Sequence, residues 1–420
     1  MSYTAEAFQN EYLALGASEV NAIVTITSTG SEGGRRTAGA TEIIIVDASG
    51  SMQAEGRIGA ARQAAKAAVE CIDDGVNFAI IAGVSTAQQL FPDPGQLAVS
   101  SPQTRADAAR AIDRLQANGG TAMGAWLLLA AQLFAQRPGD IKHAILLTDG
   151  DNGERSGYLE TVLDQIKEQF VCDCRGVGAN WKVAELRKIA DRMLGTVDIV
   201  ARPTELTASF QQMITAAMGK TSADVQLKVI TPVTSKIRFV KQVEPRVADL
   251  TGKRVEDGRA GRYPLGSWGQ ESRDYHLCFD VTPGNVGDNM MAGRVQILEG
   301  DTVLTTVLVK ATWTEDTALS TKINRQVAHY TGQAELAEVI QEGLTAHKAG
   351  DDRTATIKFG RAAQLARASG NTATEELLSK VVEIEDAVTG TVRLKRRVAA
   401  EDEMALDTRS TKTVRVGRGQ

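Results

Sequence analysis

Between about residues 40 and 219 the sequence repeats one arrangement: a short apolar run that does not alternate, then an amphipathic stretch. The runs are "EIIIVDAS", "NFAIIAGV", "HAILLTDG", "FVCDCRGVG" and "TVDIVA". Between and after them come "RIGAARQAAKAAVECI", "RADAARAIDRLQ", "AWLLLAAQLFAQ", "YLETVLDQIKEQF", "VAELRKIADRML" and "ELTASFQQMITAAM". A strand that is apolar at every position has to be covered on both faces. Alternation with helical segments then specifies an α/β, doubly wound, mainly parallel sheet with helices on each side. "AQQLF" at 87–91 is expected to add a short edge strand.

The flanks read differently. In "VNAIVTIT" (20–27), Val20, Ala22, Val24 and Ile26 share one face, the period of a half-buried antiparallel strand. The following "STGSEGGRRTAGA" is a loop by composition. From about 220 to 316 the helical signal stops, and "ADVQLKVIT", "SKIRFVKQV", "RDYHLCFDV", "AGRVQILEG" and "DTVLTTVLVKATW" mostly alternate, which predicts a β-sandwich. The N-terminal strand is expected to pair into it, leaving the α/β unit inserted. After Leu319 the period is helical again. Leu336, Val339, Ile340 and Leu344 line one helix, Leu377, Val381, Ile384 and Val388 another, and "RTATIKFGRAAQLARASG" forms a third. The expected division is therefore 1–39 N-terminal segment, 40–219 α/β domain, 220–316 sandwich, 317–395 helical bundle and 396–420 flexible tail.

Two loops of the α/β unit leave strand ends, and a third lies between helical stretches; all three are rich in oxygen donors. The first carries Asp47, Ser49 and Ser51; "NGGTAMG" carries Thr121; "LLTDGDNG" carries Asp149, with Asp151 beside it. Ligands of open α/β sheets bind beyond the carboxyl ends of the strands. Carboxylates with hydroxyls and no Cys or His suit a hard cation, Mg²⁺ or Mn²⁺, in preference to Zn²⁺. Ca²⁺ suits the set less well. Such a donor set leaves the ion short of negative charge and open to an anionic outside ligand.

The pattern Asp-x-Ser-x-Ser, a distant Thr and a distant Asp resembles the metal-ion-dependent adhesion site of von Willebrand factor type A domains, over roughly residues 40–219. The resemblance implies that Ser49, Ser51 and Thr121 bind the ion directly, while Asp47 and Asp149 act through water. It also implies a partner that offers an Asp or Glu carboxylate. The whole chain is similar to bacterial, particularly actinobacterial, cytoplasmic proteins with such a domain, a β-rich segment and a helical tail.

Blander readings compete. Ser49 or Ser51 could simply cap the helix that follows. "CDC" at 172–174 supplies half of a zinc site at most, and Cys71 and Cys278 show no matching spacing. His143, His276, His329 and His347 stand apart from any nucleophile motif. "RLKRR" (393–397) and the Thr-bearing tail (Thr408, Ser410, Thr411, Thr413) read as solvated charge, with a phosphorylated handle for a forkhead-associated, phosphothreonine-reading partner as the sharper alternative.

The formal charge of −5 points away from nucleic acid as main partner. No apolar stretch is long enough to span a bilayer, so membrane insertion is not expected. The N-terminus lacks an apolar signal region, and four scattered cysteines fit a reducing compartment, so a cytoplasmic location is expected. The function expected is a metal-dependent protein-interaction module or scaffold, not an enzyme. The alternative is a metal-dependent hydrolase working from Asp47, weakened because Ser49 stands where phosphotransferases carry a second carboxylate, and because no phosphate-binding loop is present.

Overall fold

The computed structural model describes residues 2–30 and 39–416. They fall into two compact units: residues 39–223 with 266–269, and residues 2–30, 224–265 and 270–416. The first therefore interrupts the second in sequence.

The chain begins with strands β1 (Ser2–Gln9), β2 (Tyr12–Ala14) and β3 (Glu19–Thr29) and then enters the α/β unit. That unit runs β4 (Ala40–Asp47), α1 (Arg57–Glu70), β5 (Asn77–Gly83), β6 (Ala87–Phe91), β7 (Ala98–Val99), α2 (Pro102–Asp113), α3 (Met123–Phe134), β8 (Ile141–Thr148), α4 (Tyr158–Ile166), β9 (Val171–Val177), α5 (Val183–Arg192), β10 (Val197–Val200) and α6 (Leu206–Met218). Its sheet has the order β10-β9-β8-β4-β5-β6, with β7 also on β5. All pairings are parallel except those of β6 and β7. Every residue of β4 is buried, as its unbroken apolar run demands. Ile44 and Val46 of β4 and Ile145 and Leu147 of β8 pack with Ala61, Ala65, Phe210 and Ile214 of α1 and α6.

The placement of β4 matters most for function. The chain steps from β4 to β5 on one side and later to β8 on the other, so connections leave the carboxyl ends of β4 and β8 in opposite directions. A crevice opens at such a switch point.

The second unit continues with β11 (Lys220–Ile230), β12 (Ser235–Glu244), β13 (Ala248–Asp249), β14 (Val255–Asp257), β15 (Ala260–Gly269), β16 (Glu271–Val281), β17 (Asn289–Glu299) and β18 (Thr302–Thr314). Two sheets result, β1-β3-β16-β12-β13 and β14-β15-β11-β17-β18-β2. They pack as a sandwich: a Cβ built on Gly293 of β17 would lie 2.5 Å from the ring of Phe279 on β16, so only glycine fits there. The strand at 20–27 is the middle of β3, paired with β1 and β16.

Helices α7 (Thr317–Ser320), α8 (Arg325–Lys348), α9 (Asp352–Ser369) and α10 (Thr372–Val381) follow, then β19 (Val382–Asp386), β20 (Thr391–Leu394) and α11 (Ala400–Arg409). Three expectations are corrected here. The helices do not form a unit apart from the sandwich: Val327 and Tyr330 of α8 pack on Ile23 and Val243 of the sheet. The helix expected to reach Val388 stops at Val381. The Asp386 side chain accepts the Val388 N–H at 2.8 Å, Gly390 adopts φ +73°, and Val388 is left exposed on the turn of a hairpin. Alternation in "VEIED" serves a strand as readily as a helix over so short a run.

The third correction concerns the tail. Residues 400–409 form α11, whose Leu406 joins the helical core, and Thr408 and Ser410 are buried. One buried apolar pair, Ala405 and Leu406, is too short to show a period in sequence. Residues 411–414 then run beside β12 and α8. Val247 N–H donates to Thr411 O (2.7 Å), Val414 N–H donates to Gln333 Oε1 (2.8 Å), and the Thr413 hydroxyl donates to Glu244 Oε2 (2.7 Å). The handle expected for a phosphothreonine reader is thus docked, and a phosphate on Thr413 would face a carboxylate. Residues 417–420 lie outside the described residues, as do 31–38 of the loop after β3.

Candidate functional site

Three loops converge at the carboxyl ends of β4 and β8, and main-chain bonds tie them together. Gly50 N–H donates to Gly119 O (2.9 Å) and Asn118 N–H to Ala48 O (2.6 Å), joining the first loop to the second. Gly153 N–H donates to Thr121 O (2.8 Å), joining the second to the third. The third loop also holds the start of α3. Glu154 accepts the N–H groups of Gly124 (2.8 Å) and Ala125 (3.0 Å), where an anion is favoured by the unpaired amides of a helix start.

All five sequence-predicted residues meet within this framework. Ser49 Oγ lies 2.9 Å from Ser51 Oγ, and the Ser51 hydroxyl donates to Asp149 Oδ1 at 2.6 Å. A Cβ built on Gly150 would lie 3.4 Å from Ser51 Oγ and 3.6 Å from Thr121 Oγ1, so both hydroxyls approach the same point beside that glycine. Ser49 stands at the start of the turn Gly50–Gly56, but its side chain makes no capping bond. The helix-cap alternative therefore does not account for it.

A place at a strand end suggests side chains that face solvent, yet Asp47 and Asp149 are fully buried and Ser49 is 2% exposed. The loops fold over the carboxylates. Asp47 Oδ1 accepts the Ser49 N–H (2.7 Å), and Oδ2 accepts the Thr148 hydroxyl (2.5 Å). Burial pushes the Asp47 carboxyl above its ordinary range; the Ser49 and Thr148 hydrogen bonds oppose the rise, and the like charge of Asp149 adds to it.

Two residues not singled out in the sequence belong here. Thr148 orients Asp47, and Arg57, 5% exposed at its side chain, pairs with Asp149 Oδ2 at 2.9 Å. Thr148 directly precedes Asp149 in "LLTDG", and Arg57 is the first basic residue after the first loop; proximity to the motif was the available signal. Asp151, by contrast, turns away to Lys182 (2.9 Å).

A cation fits the donor chemistry. Adjacent ligands of octahedral Mg²⁺, each about 2.1 Å from the ion, stand about 3.0 Å apart, close to the 2.9 Å between the Ser49 and Ser51 oxygens. The Thr121 hydroxyl bonds to no other protein group among the described residues. Among the described residues no cluster of three or more His, Cys, Asp or Glu is placed to hold a metal. Cys172 and Cys174 are free thiols buried on β9. Among the described residues no helix is long and apolar enough to cross a membrane.

Fold and site together define a von Willebrand factor type A domain, and residues 42–199 match the family model of that description. Residues 364–410 match the model described as the von Willebrand factor type A C-terminal domain. A von Willebrand factor type A protein from Catenulispora acidiphila is 47% identical, covering 99% of this chain and 97% of that one with a TM-score of 0.94. The chain belongs to the von Willebrand factor type A family. The ArnB paralog VWA2 from Sulfolobus acidocaldarius shares the fold at 13% identity, covering 98% of each chain with a TM-score of 0.59. A Synechocystis protein described as uncharacterized, sll0103, is 28% identical over 231 residues. The chain spans about half the length of that curated relative, 52% of each.

Proposed function

We propose that the chain is a metal-dependent protein-binding module. Ser49, Ser51 and Thr121 would hold Mg²⁺ or Mn²⁺ directly, Asp47 and Asp149 would act through water, and a partner's Asp or Glu would take the remaining position. The observation that carries this reading is the convergence of three hydroxyls on two buried carboxylates at the switch point of the sheet. A bound cation offsets the burial of both charges, which a hydroxyl network does only in part.

A hydrolase working from Asp47 is less well supported. Both its oxygens already accept hydrogen bonds from Ser49 and Thr148, so neither is presented as a nucleophile. The same bonds suit an orienting carboxylate.

The test is thermal or urea unfolding with Mg²⁺ or Mn²⁺ added. An ion that binds only the folded form stabilises it by about 2.7 kcal/mol at 100 times its Kd. Ser49→Ala should stay folded and lose that response, and a wild-type protein indifferent to both ions would end the proposal.

A further inference from the structure

Beside the three loops lies a cavity of about 470 Å³. Ala48 and Gly119 of the site loops form one wall, the turn after β5 contributes Ser85 and Thr86, and Arg114 and Gln116 follow α2. Ala48 lies between Asp47 and Ser49 in sequence, and Gly119 two residues before Thr121, so the cavity borders the loops that carry the candidate ligands. Ser85 Oγ accepts the Gly120 N–H at 2.8 Å, which fixes the second loop and leaves the hydroxyl proton free to donate.

Charge sets this cavity apart. Its lining contains one cation, Arg114, together with the amides of Gln88, Gln116 and Asn118, and no carboxylate. Neighbouring cations are engaged: Lys66 with Asp113, Arg105 with Asp74, Arg110 with Asp107, and Arg62 with the Leu115 carbonyl. Arg114 is exposed and has no ion pair or side-chain hydrogen bond among the described residues. An adjoining cavity of about 490 Å³ along β6 shares Leu90 and Arg114 but includes Asp93 and Asp107, so the acid-free ground lies on the side of the metal site.

We infer that this cavity is a second acidic subsite: a protein partner that places one carboxylate on the metal places another Asp or Glu on Arg114. This rests on the metal-dependent reading above. A guanidinium presents a planar pair of donors that a carboxylate accepts in bidentate fashion. Because Ala48 and Gly119 belong to the loops that carry the candidate ligands, one short loop of the partner serves both positions in this proposal. The partner motif is therefore a pair of acidic residues a few positions apart, and a lone Asp or Glu engages half of the site.

The probes are fluorescein-labelled Gly/Ser peptides carrying one Asp, or two Asp separated by one to six residues, titrated into the full chain with Mn²⁺ or with EDTA. In Mn²⁺ at least one spacing should bind about tenfold more tightly than the single-Asp peptide, a difference of about 1.4 kcal/mol. Arg114→Ala should erase that gain and leave single-Asp affinity unchanged, while Arg114→Lys restores part of it. Equal affinity at every spacing, or a gain that survives Arg114→Ala, overturns the subsite. The EDTA arm separates the two proposals. If no peptide responds to Mn²⁺ but two-Asp peptides still bind in a salt-sensitive, Arg114-dependent way, the metal reading falls and the subsite stands. If Mn²⁺ dependence holds and Arg114 has no effect, the reverse is true.

Discussion

The parallel sheet gathers two carboxylates toward each end of its central strands, on β4 and β9 at one end and after β4 and β8 at the other, and the ends are built differently. At the amino end Glu42 of β4 and Asp173 of β9 flank His143 of β8. Its Nδ1 meets both Glu42 oxygens at 2.8 and 2.9 Å, and its Nε2 meets Asp173 Oδ2 at 3.1 Å. Thr196 supplies Asp173 Oδ1 with its N–H and its hydroxyl, both at 2.7 Å. At the carboxyl end the cation, Arg57, enters from the side of Asp149, while Asp47 takes bonds from a backbone N–H and a hydroxyl. A cation lying between two acids closes a cluster. One held to a single acid, with hydroxyls beside the other groups, leaves the two acids unbridged. Buried acids mark a ligand site only when their own chain does not bridge them.

The largest expected effect breaks the closed end. His143→Ala leaves buried Glu42 and part-buried Asp173 without their shared partner and should cost about 3 kcal/mol, with the Mg²⁺ response of the remaining fold unchanged. The pH dependence has a definite sign. Burial alone would depress the His143 imidazole, but Glu42 and Asp173 outweigh it and raise it from 6.5 to about 10. Its stabilisation is therefore full below about pH 6.5 and is lost as pH rises through about 10. The Asp173 carboxyl is held well below its usual range: burial opposes this, and His143, Arg175 and Thr196 prevail. Its contribution is present at neutral pH and lost in acid. Urea unfolding at several pH values should show the gap between wild type and His143→Ala shrinking toward pH 10, and a gap that widens there contradicts the assignment.

A smaller effect should divide the two acids at the open end. Asp149→Asn weakens the bond that holds buried Arg57 and should cost about 2 kcal/mol without metal, as for other hydrogen bonds to charged groups. Asp47→Asn removes a crowded charge, and the Thr148 hydroxyl can turn to accept from the new amide, so stability should change by less than about 1 kcal/mol. Both should abolish the response to Mg²⁺. Equal losses from the two substitutions would mean that Arg57 serves both acids alike.

Legibility in sequence followed how local each signal was. The α/β order was readable because each strand carries a continuous apolar run and each helix its own period, as "IIIV" before Asp47 shows. The convergence of the three loops that carry the five candidate residues was readable because such loops leave predictable places on such a sheet. Strand β1, "SYTAEAFQ", was not: its inward side follows Tyr3 with only Ala5, Ala7 and Gln9, and its pairing with β3 decides its state. The Glu42–His143–Asp173 cluster was equally hidden, since residues 101 and 30 positions apart become neighbours only through strand register. Helix α11 depends on Leu406 reaching a core made by α8, α9 and α10, which no window of local sequence contains.

The smallest expected effect sharpens the open end by its boundary. Asp151 lies two residues beyond Asp149 in the same acidic loop, and sequence alone would admit both as ligands. The structure separates them: Asp149 is fully buried, whereas the Asp151 side chain is 45% exposed and pairs with Lys182 at 2.9 Å. That pairing holds the Lys182 ammonium above its ordinary range, mainly through the hydrogen bond that the ammonium donates to Asp151. Exposed pairs of this kind are screened by water and salt and add little to folding. Asp151→Ala should therefore leave the unfolding midpoint unchanged within error, and the Mg²⁺ concentration for half-maximal stabilisation should match wild type. At low salt a slight weakening is expected, because removing a nearby negative charge reduces attraction for any cation, and it should vanish at about 0.15 M salt, where the screening length is about 8 Å. A tenfold loss of Mg²⁺ affinity that persists at that salt would mean that Asp151 leaves Lys182 and turns inward when the ion binds, and the division between buried ligands and solvated neighbours would have to be redrawn to include it.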